Sequence, residues 1–304
     1  MLGLLLDVLP IFFTLFLGYA AGRFHEFGEA DAERFNRLVF DFALPALLFT
    51  SVMQTTRTSM ESYFDLAIIT AVILNAVFLT TFFIARLVFR HDRREAAIAG
   101  LLCSFPASGF LGMAVLQPLY GVEAGVTVAI VATVSNLTQV PIAMMLISPA
   151  GSRPADSALH AVKQPIVFVP VIAVALVFLG WESPKAISNM LDLLGSSSSG
   201  VAVFAAGVTI STLSIRLNVE VLWNALAKML IVPGLLLGAL VWWGASKETT
   251  TEFTYLAAIS PAFTCIVVAS RFNIYLENTA TTLVLGTLLF AGTAPLWAYV
   301  IGLL

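Results

Sequence analysis

Ten stretches of this chain are each long and apolar enough to cross a bilayer, and that count leaves few folds open. About 20 mostly apolar residues cover about 30 Å of hydrocarbon as a helix. Inside lipid, a helix satisfies every backbone N–H and C=O within its own segment. The stretches run over 3–23, 36–54, 65–89, 96–118, 121–148, 164–181, 187–212, 219–244, 252–273 and 279–303, with mostly short polar connections. The longest connection, SPAGSRPADSALHA from Ser148 to Ala161, is rich in Pro, Ser and Gly and falls at the midpoint of the chain. Of the 304 residues, 59% are hydrophobic and only 11% charged, less than half the share in an average soluble domain. The expected fold class is therefore all-α integral membrane, with about ten transmembrane helices and no large soluble domain. The first stretch lacks the basic residues that lead a signal core, so it reads as a membrane helix.

The positive-inside rule sets the orientation. Arg23, Arg34, Arg37, Arg90, Arg93, Arg94, Arg153, Lys163 and Arg216 follow spans one, three, five and seven, with Arg86 and Arg271 at the same face. The other face has Arg57, Lys185 and Lys247. Both termini are therefore expected on the non-cytoplasmic side. Trp181, Trp242 and Trp243 cap spans at the sparsely charged face, as interfacial aromatics do.

The chain also repeats itself. At an offset of 155 residues, Pro10-Ile11 meets Pro165-Ile166, Pro106-Ala107 meets Pro261-Ala262, Tyr120 meets Tyr275 and Thr138 meets Thr293. Pro141 falls within one residue of Pro295 on the same shift. Each half holds five spans, an odd number, so the second copy enters the membrane upside down. The expected division is a first five-helix repeat over 1–148, a cytoplasmic linker over 149–163 and a second repeat over 164–304. Inverted repeats of this kind characterise secondary transporters, whose site lies near the midplane where the halves meet.

Two spans carry an internal proline at matching places. Pro106 interrupts the fourth, with Gly109 and Gly112 after it, and Pro261 interrupts the ninth. Proline removes a backbone donor and clashes with the carbonyl one turn earlier. In lipid the freed groups need protein, water or ligand as partners. Two such breaks at one level point the partial positive charge of helix N-termini at one centre, which suits an anion. A pair of plain proline kinks is the alternative.

The run Asp41-Phe42-Ala43-Leu44-Pro45-Ala46-Leu47-Leu48-Phe49 resembles the auxin efflux carrier family, as does the region from Ala269-Ser270-Arg271-Phe272 to Thr287-Leu288-Leu289. The first run is most similar to the family's bacterial branch, which includes malonate-transporter-like members. The resemblance covers essentially the whole chain. It implies inverted five-helix repeats with broken helices four and nine crossing at the midplane. It also implies a scaffold of spans one, two, six and seven, with spans three to five and eight to ten moving against it as an elevator. Members carry organic anions and are often homodimers. The chain departs from the family at two places. Members commonly have Asn directly after the proline of span four and a second Pro beyond it, where this chain has Ala107 and Ala114. That leaves Ser108 and backbone N–H groups to meet a carboxylate.

The candidate substrate-binding residues are Pro106, Ala107, Ser108, Gly109, Asn136, Gln139, Lys228, Pro261, Ala262 and Arg271. Ionisable groups deep in a span are costly unless they face inward. Lys228, about ten residues into span eight, either neutralises a carboxylate or fixes helix packing. Arg271 lies at the cytoplasmic end of span nine, where snorkelling competes with a substrate or gating contact. Asp41, before Pro45 in span two, is a coupling site or a structural charge. Asn136 and Gln139 stand three residues apart, near one helical face with Thr133. They line the crossing or hydrogen-bond neighbouring helices.

Other classes find little support. His25, His91 and His160 fall in loops, and neither HExxH nor a Walker-type phosphate loop occurs. Cys103 and Cys265 form no metal spacing. The expectation is a transporter rather than an enzyme, with no cofactor and no nucleic-acid partner. An anion channel and a non-transporting receptor are the competing readings. The expected partners are the lipid bilayer of the cell (inner) membrane, a small organic anion such as malonate, and a coupling ion, H⁺ or Na⁺.

Overall fold

The structure is a computed structural model that describes residues 2–54, 57–58, 63–108, 112, 116, 120, 124–148, 163, 165–181, 183–212 and 216–303. Gly109, Ala114, and the linker over 149–163 apart from Lys163, lie outside the described residues. The regular structure is helical, with one isolated β-bridge among the described residues.

Helix α1 spans Leu2–Arg23. The second span is longer than its apolar stretch, because the polar, amphipathic α2 (Glu29–Leu38) runs directly into it. A π-turn (Val39–Ala43) then joins α2 to α3 (Leu44–Met53). Next come α4 (Phe64–Leu87), α5 (Arg93–Ser104) and α6 (Gly125–Ile147). The second half holds α7 (Pro165–Phe178), α8 (Lys185–Thr212) and α9 (Val219–Leu226). A second π-turn (Ala227–Ile231) leads to α10 (Val232–Trp243), followed by α11 (Lys247–Ala258), α12 (Thr264–Phe272) and α13 (Leu276–Gly302).

Among the described residues, five segments are long and apolar enough to cross a membrane: Ala30–Met53, Phe64–Leu87, Gly125–Ile147, Lys185–Thr212 and Val219–Trp243. A sixth forms if Leu276–Phe290 and Gly292–Gly302, bent by 51°, act as one span. In the fourth and ninth stretches the helix stops short of the proline, at Ser104 and at Ala258.

Both π-turns have a sequence cause. Each precedes a proline, Pro45 or Pro233. A proline ring collides with the carbonyl four residues back and offers it no N–H. The ladder widens instead: Leu44 N–H bonds to the Val39 carbonyl and Val232 N–H to the Ala227 carbonyl. Such turns recur at functional sites, and these two hold Asp41 and Lys228.

The packing pairs α1 with α8, α7 with α3, α4 with α5 and α10 with α11. Helices α1 and α8 approach backbone to backbone. A Cβ on Gly18 would lie 2.1 Å from the Phe204 carbonyl oxygen, and one on Gly207 2.2 Å from that of Leu15. The Gly18-x-x-x-Gly22 spacing is the sequence signal for this contact.

The basic face is tied by a polar cluster. His91, between α4 and α5, places Nδ1 2.9 Å from Glu95 and Nε2 2.7 Å from the buried Glu220. The Asn278 amide donates to the same Glu220 oxygen, and the Tyr275 ring meets the imidazole edge to face. Arg86 donates to the His91 carbonyl rather than facing the ring. Burial disfavours the charged ring, but the two carboxylates outweigh it and raise the His91 pKa above its ordinary value of 6.5. A raised folded-state pKa gives stability that is fully present below pH 6.5 and is lost as pH rises through the folded pKa. The melting temperature should therefore fall across that interval by roughly 2–4 °C for each kcal/mol lost. In His91→Gln that part of the pH dependence should vanish; an unchanged profile in the variant would show that the cluster does not titrate on folding.

Candidate functional site at the paired proline breaks

Helix α5 ends at Ser104, and Phe105–Ala107 are not helical; Ser108 and the described positions 112, 116 and 120 are helical again. In the ninth stretch α11 ends at Ala258 and α12 begins at Thr264. The two interruptions meet. Pro106 and Pro261 form an antiparallel bridge, with Ala107 N–H donating to the Ser260 carbonyl (3.0 Å) and Ala262 N–H to the Phe105 carbonyl (3.0 Å). Each break thus supplies the partners the other lacks, which is how two unwound segments can persist in an apolar core. Beyond Pro261 α12 begins at Thr264, so its positively polarised N-terminal end borders this place, and Ser108 beyond Pro106 is helical again.

A cavity lies there, lined by Leu44, Leu47 and Leu48 of α3, by Phe105, Pro106, Ala107 and Ser108, by Asn136 of α6, and by Ala262 and Thr264. Counted at water centres its volume is about 20 Å³, room for a single water. The leucines come from the Asp41–Phe49 run, so that motif walls the cavity on one side. The Ser260 hydroxyl, buried in the bridge, has no protein partner among the described residues.

The structure gathers Pro106, Ala107, Ser108, Asn136 and Ala262 on this cavity wall and puts Pro261 beside them in the bridge. Gly109 lies outside the described residues. Gln139 is fully buried and donates its amide to the Leu74 carbonyl (3.3 Å), toward α4. Lys228 is fully buried and donates to the Ala257 carbonyl; neither described cavity has it in its wall. Among the described residues it forms no ion pair.

Arg271 lines a second, larger cavity of about 180 Å³ by the same measure, with Glu33, Thr209, Thr212, Ser270 and Asn273. Its guanidinium is 3.9 Å from Asp41 on the first π-turn. Asp41 therefore pairs with Arg271 and not with Lys228.

Gly286 on α13 was not readable from the sequence as a site residue. A Cβ there would stand 2.7 Å from Pro261 Cδ. Its only sequence signal is its place beside Thr287-Leu288-Leu289, in the second of the resembling regions.

The family described as "Membrane transport protein" matches residues 4–158 and 155–298. The "Uncharacterized transporter YfdV" of Escherichia coli (strain K12) is 35% identical over 302 residues, covering 97% of this chain and 96% of that one. A protein of Rhizobium meliloti (strain 1021) named "Putative malonate transporter" is 27% identical over 304 residues, covering 97% and 94%. The "Lysosomal cholesterol signaling protein" of Mus musculus is 26% identical over 93% of this chain but only 36% of its own length. With near-complete coverage by relatives and family alike, this chain is a multi-pass membrane protein of the membrane transport protein family, the auxin efflux carriers.

Proposed function

We propose that the chain is a secondary transporter of small organic anions, with malonate or a related short dicarboxylate as the leading substrate. The observation that carries this reading is the bridge between Pro106 and Pro261, bordered by the N-terminal end of α12, Ser108, Asn136 and Thr264. Buried partial positive charge and hydroxyl groups at one point favour a carboxylate over a cation or a sugar. The name of the Rhizobium relative supports the dicarboxylate.

Ten spans in two inverted repeats, with the fourth and ninth crossing at their breaks, fit the same observations. Corresponding contacts recur at the repeat offset. Asn75 donates to Thr138 (2.8 Å), and Thr293 approaches the Met229 sulfur (3.8 Å), 154 and 155 residues on. α1 packs on α8 as α7 packs on α3, which exchanges the first two spans of each repeat. The two family matches meet at residues 155–158, inside the linker.

For this division the family resemblance implies an elevator. Spans one, two, six and seven form the scaffold, and the rest carry the site past it. The leucines of α3 then act as the fixed wall, and the Asp41–Arg271 contact bridges scaffold and carrier on the cytoplasmic side. The small volume at the crossing fits a closed conformation that must open to admit an acid. Termini outside the cytoplasm, residence in the cell (inner) membrane, a homodimer and coupling to H⁺ or Na⁺ belong to the same proposal.

Uptake into proteoliposomes under defined ion gradients tests it. Malonate, succinate, a monocarboxylate and an indole acid should compete, with saturable flux and exchange of internal for external substrate. Conductance without exchange would make the protein a channel. Binding without flux would make it a receptor.

A further inference from the structure

Lys228 is the charged side chain that the crossing leaves without a role. It sits fully buried in the π-turn of the eighth span, with no ion pair among the described residues. Such a group is retained in a membrane only when something inside the protein holds it. What holds it here is the carbonyl of Ala257. Ala257 stands four residues before Pro261, so in an unbroken helix its carbonyl would accept the N–H of residue 261. Proline has none. α11 ends one residue after Ala257, so that carbonyl also belongs to the negatively polarised end of a helix.

We propose that Lys228 is a positioning residue whose ammonium takes the place of the N–H that Pro261 lacks. It caps the end of α11 and so holds the ninth-span break in the geometry that pairs with Pro106. It acts through Ala257 and does not touch the substrate. The arrangement is one-sided. The positions that the repeat pairs with Lys228 are Ile73 and Leu74, so no lysine caps the fourth span from the corresponding helix. The π-turn before Pro233 is the local structure that sets the lysine in contact with α11.

The role of the break in substrate binding rests on the anion-carrier reading; the cap itself does not. The test is a double-mutant cycle by thermal unfolding of purified protein: wild type, Lys228→Met, Pro261→Ala and the pair. In the wild-type background Lys228→Met should lower the melting temperature by about 5 °C or more, since it strands a buried carbonyl. In the Pro261→Ala background residue 261 regains an N–H, and the same substitution should cost little or raise the melting temperature. If the single variant fails to fold while the pair folds, the cap is supported equally. The same loss in both backgrounds overturns it.

Flux supplies the second readout. Lys228→Met should raise the apparent KM for malonate and for a monocarboxylate by the same factor. A fall in maximal rate at unchanged KM would reduce the lysine to general stability, and a KM change confined to dicarboxylates would make it a substrate contact. Either result overturns the positioning role. Coupling between positions 228 and 261 with no flux of any acid would leave the cap standing and end the anion reading.

Discussion

Transport should fall at least tenfold in Pro106→Ala and in Pro261→Ala, and be nearly abolished in the pair, while the protein remains folded. The fold survives because two effects of similar size oppose each other. Proline inside a helix costs about 3 kcal/mol relative to alanine, and closing the helix recovers much of that. Against this, the variant gives up two bridge hydrogen bonds, from Ala107 to Ser260 and from Ala262 to Phe105, worth about 0.5–1.5 kcal/mol each. Function does not survive, because a continuous helix has no N-terminal end at the midplane and no unwound segment to meet a carboxylate. A tenfold loss corresponds to about 1.4 kcal/mol, within what such a terminus contributes in a buried setting. Uptake by size-matched proteoliposomes, with a melting curve for each variant, separates the two effects. Full transport by both single variants would show the breaks to be ordinary kinks.

The second large effect is expected at a residue with no polar atom to offer. Gly286→Ala should weaken transport about tenfold, although it adds only a methyl group. The added carbon would meet Pro261 Cδ at 2.7 Å, on a rigid ring that cannot swing aside. Overpacking a filled core costs about 1–3 kcal/mol, and here the strain falls on the break itself. Gly238, where a Cβ meets nothing within 4 Å, is the control; alanine there should leave transport unchanged. Equal behaviour of the two variants would show that Pro261 tolerates displacement.

The frame of this protein was legible because lipid makes it so. Apolar length gave a multi-pass helical membrane protein, the offset between Pro106 and Pro261 gave the pairing of the two breaks, and the run from Asp41 to Phe49 gave the family. Interior detail was not legible, for identifiable reasons. A proline in an apolar run looks alike whether it ends a helix, as Pro106 does, or widens one, as Pro45 and Pro233 do; the difference lies in what packs beside it. The same limit applies to Lys228, whose acceptor is a backbone carbonyl and therefore carries no side-chain signature. Asn136 and Gln139 share a helix but diverge, one to the cavity and the other to the backbone of α4. Gly286 is silent until Pro261 is placed against it.

Calorimetric titration of malonate into the purified protein tests directly, without any assumption about the stroke, whether the paired breaks bind a small organic anion. The wild-type chain should show one saturable site per chain. The folded Pro106→Ala/Pro261→Ala protein should show none, while Lys228→Met should bind malonate and a monocarboxylate more weakly by the same factor. Undiminished binding by the folded double variant would place the site elsewhere and contradict the account.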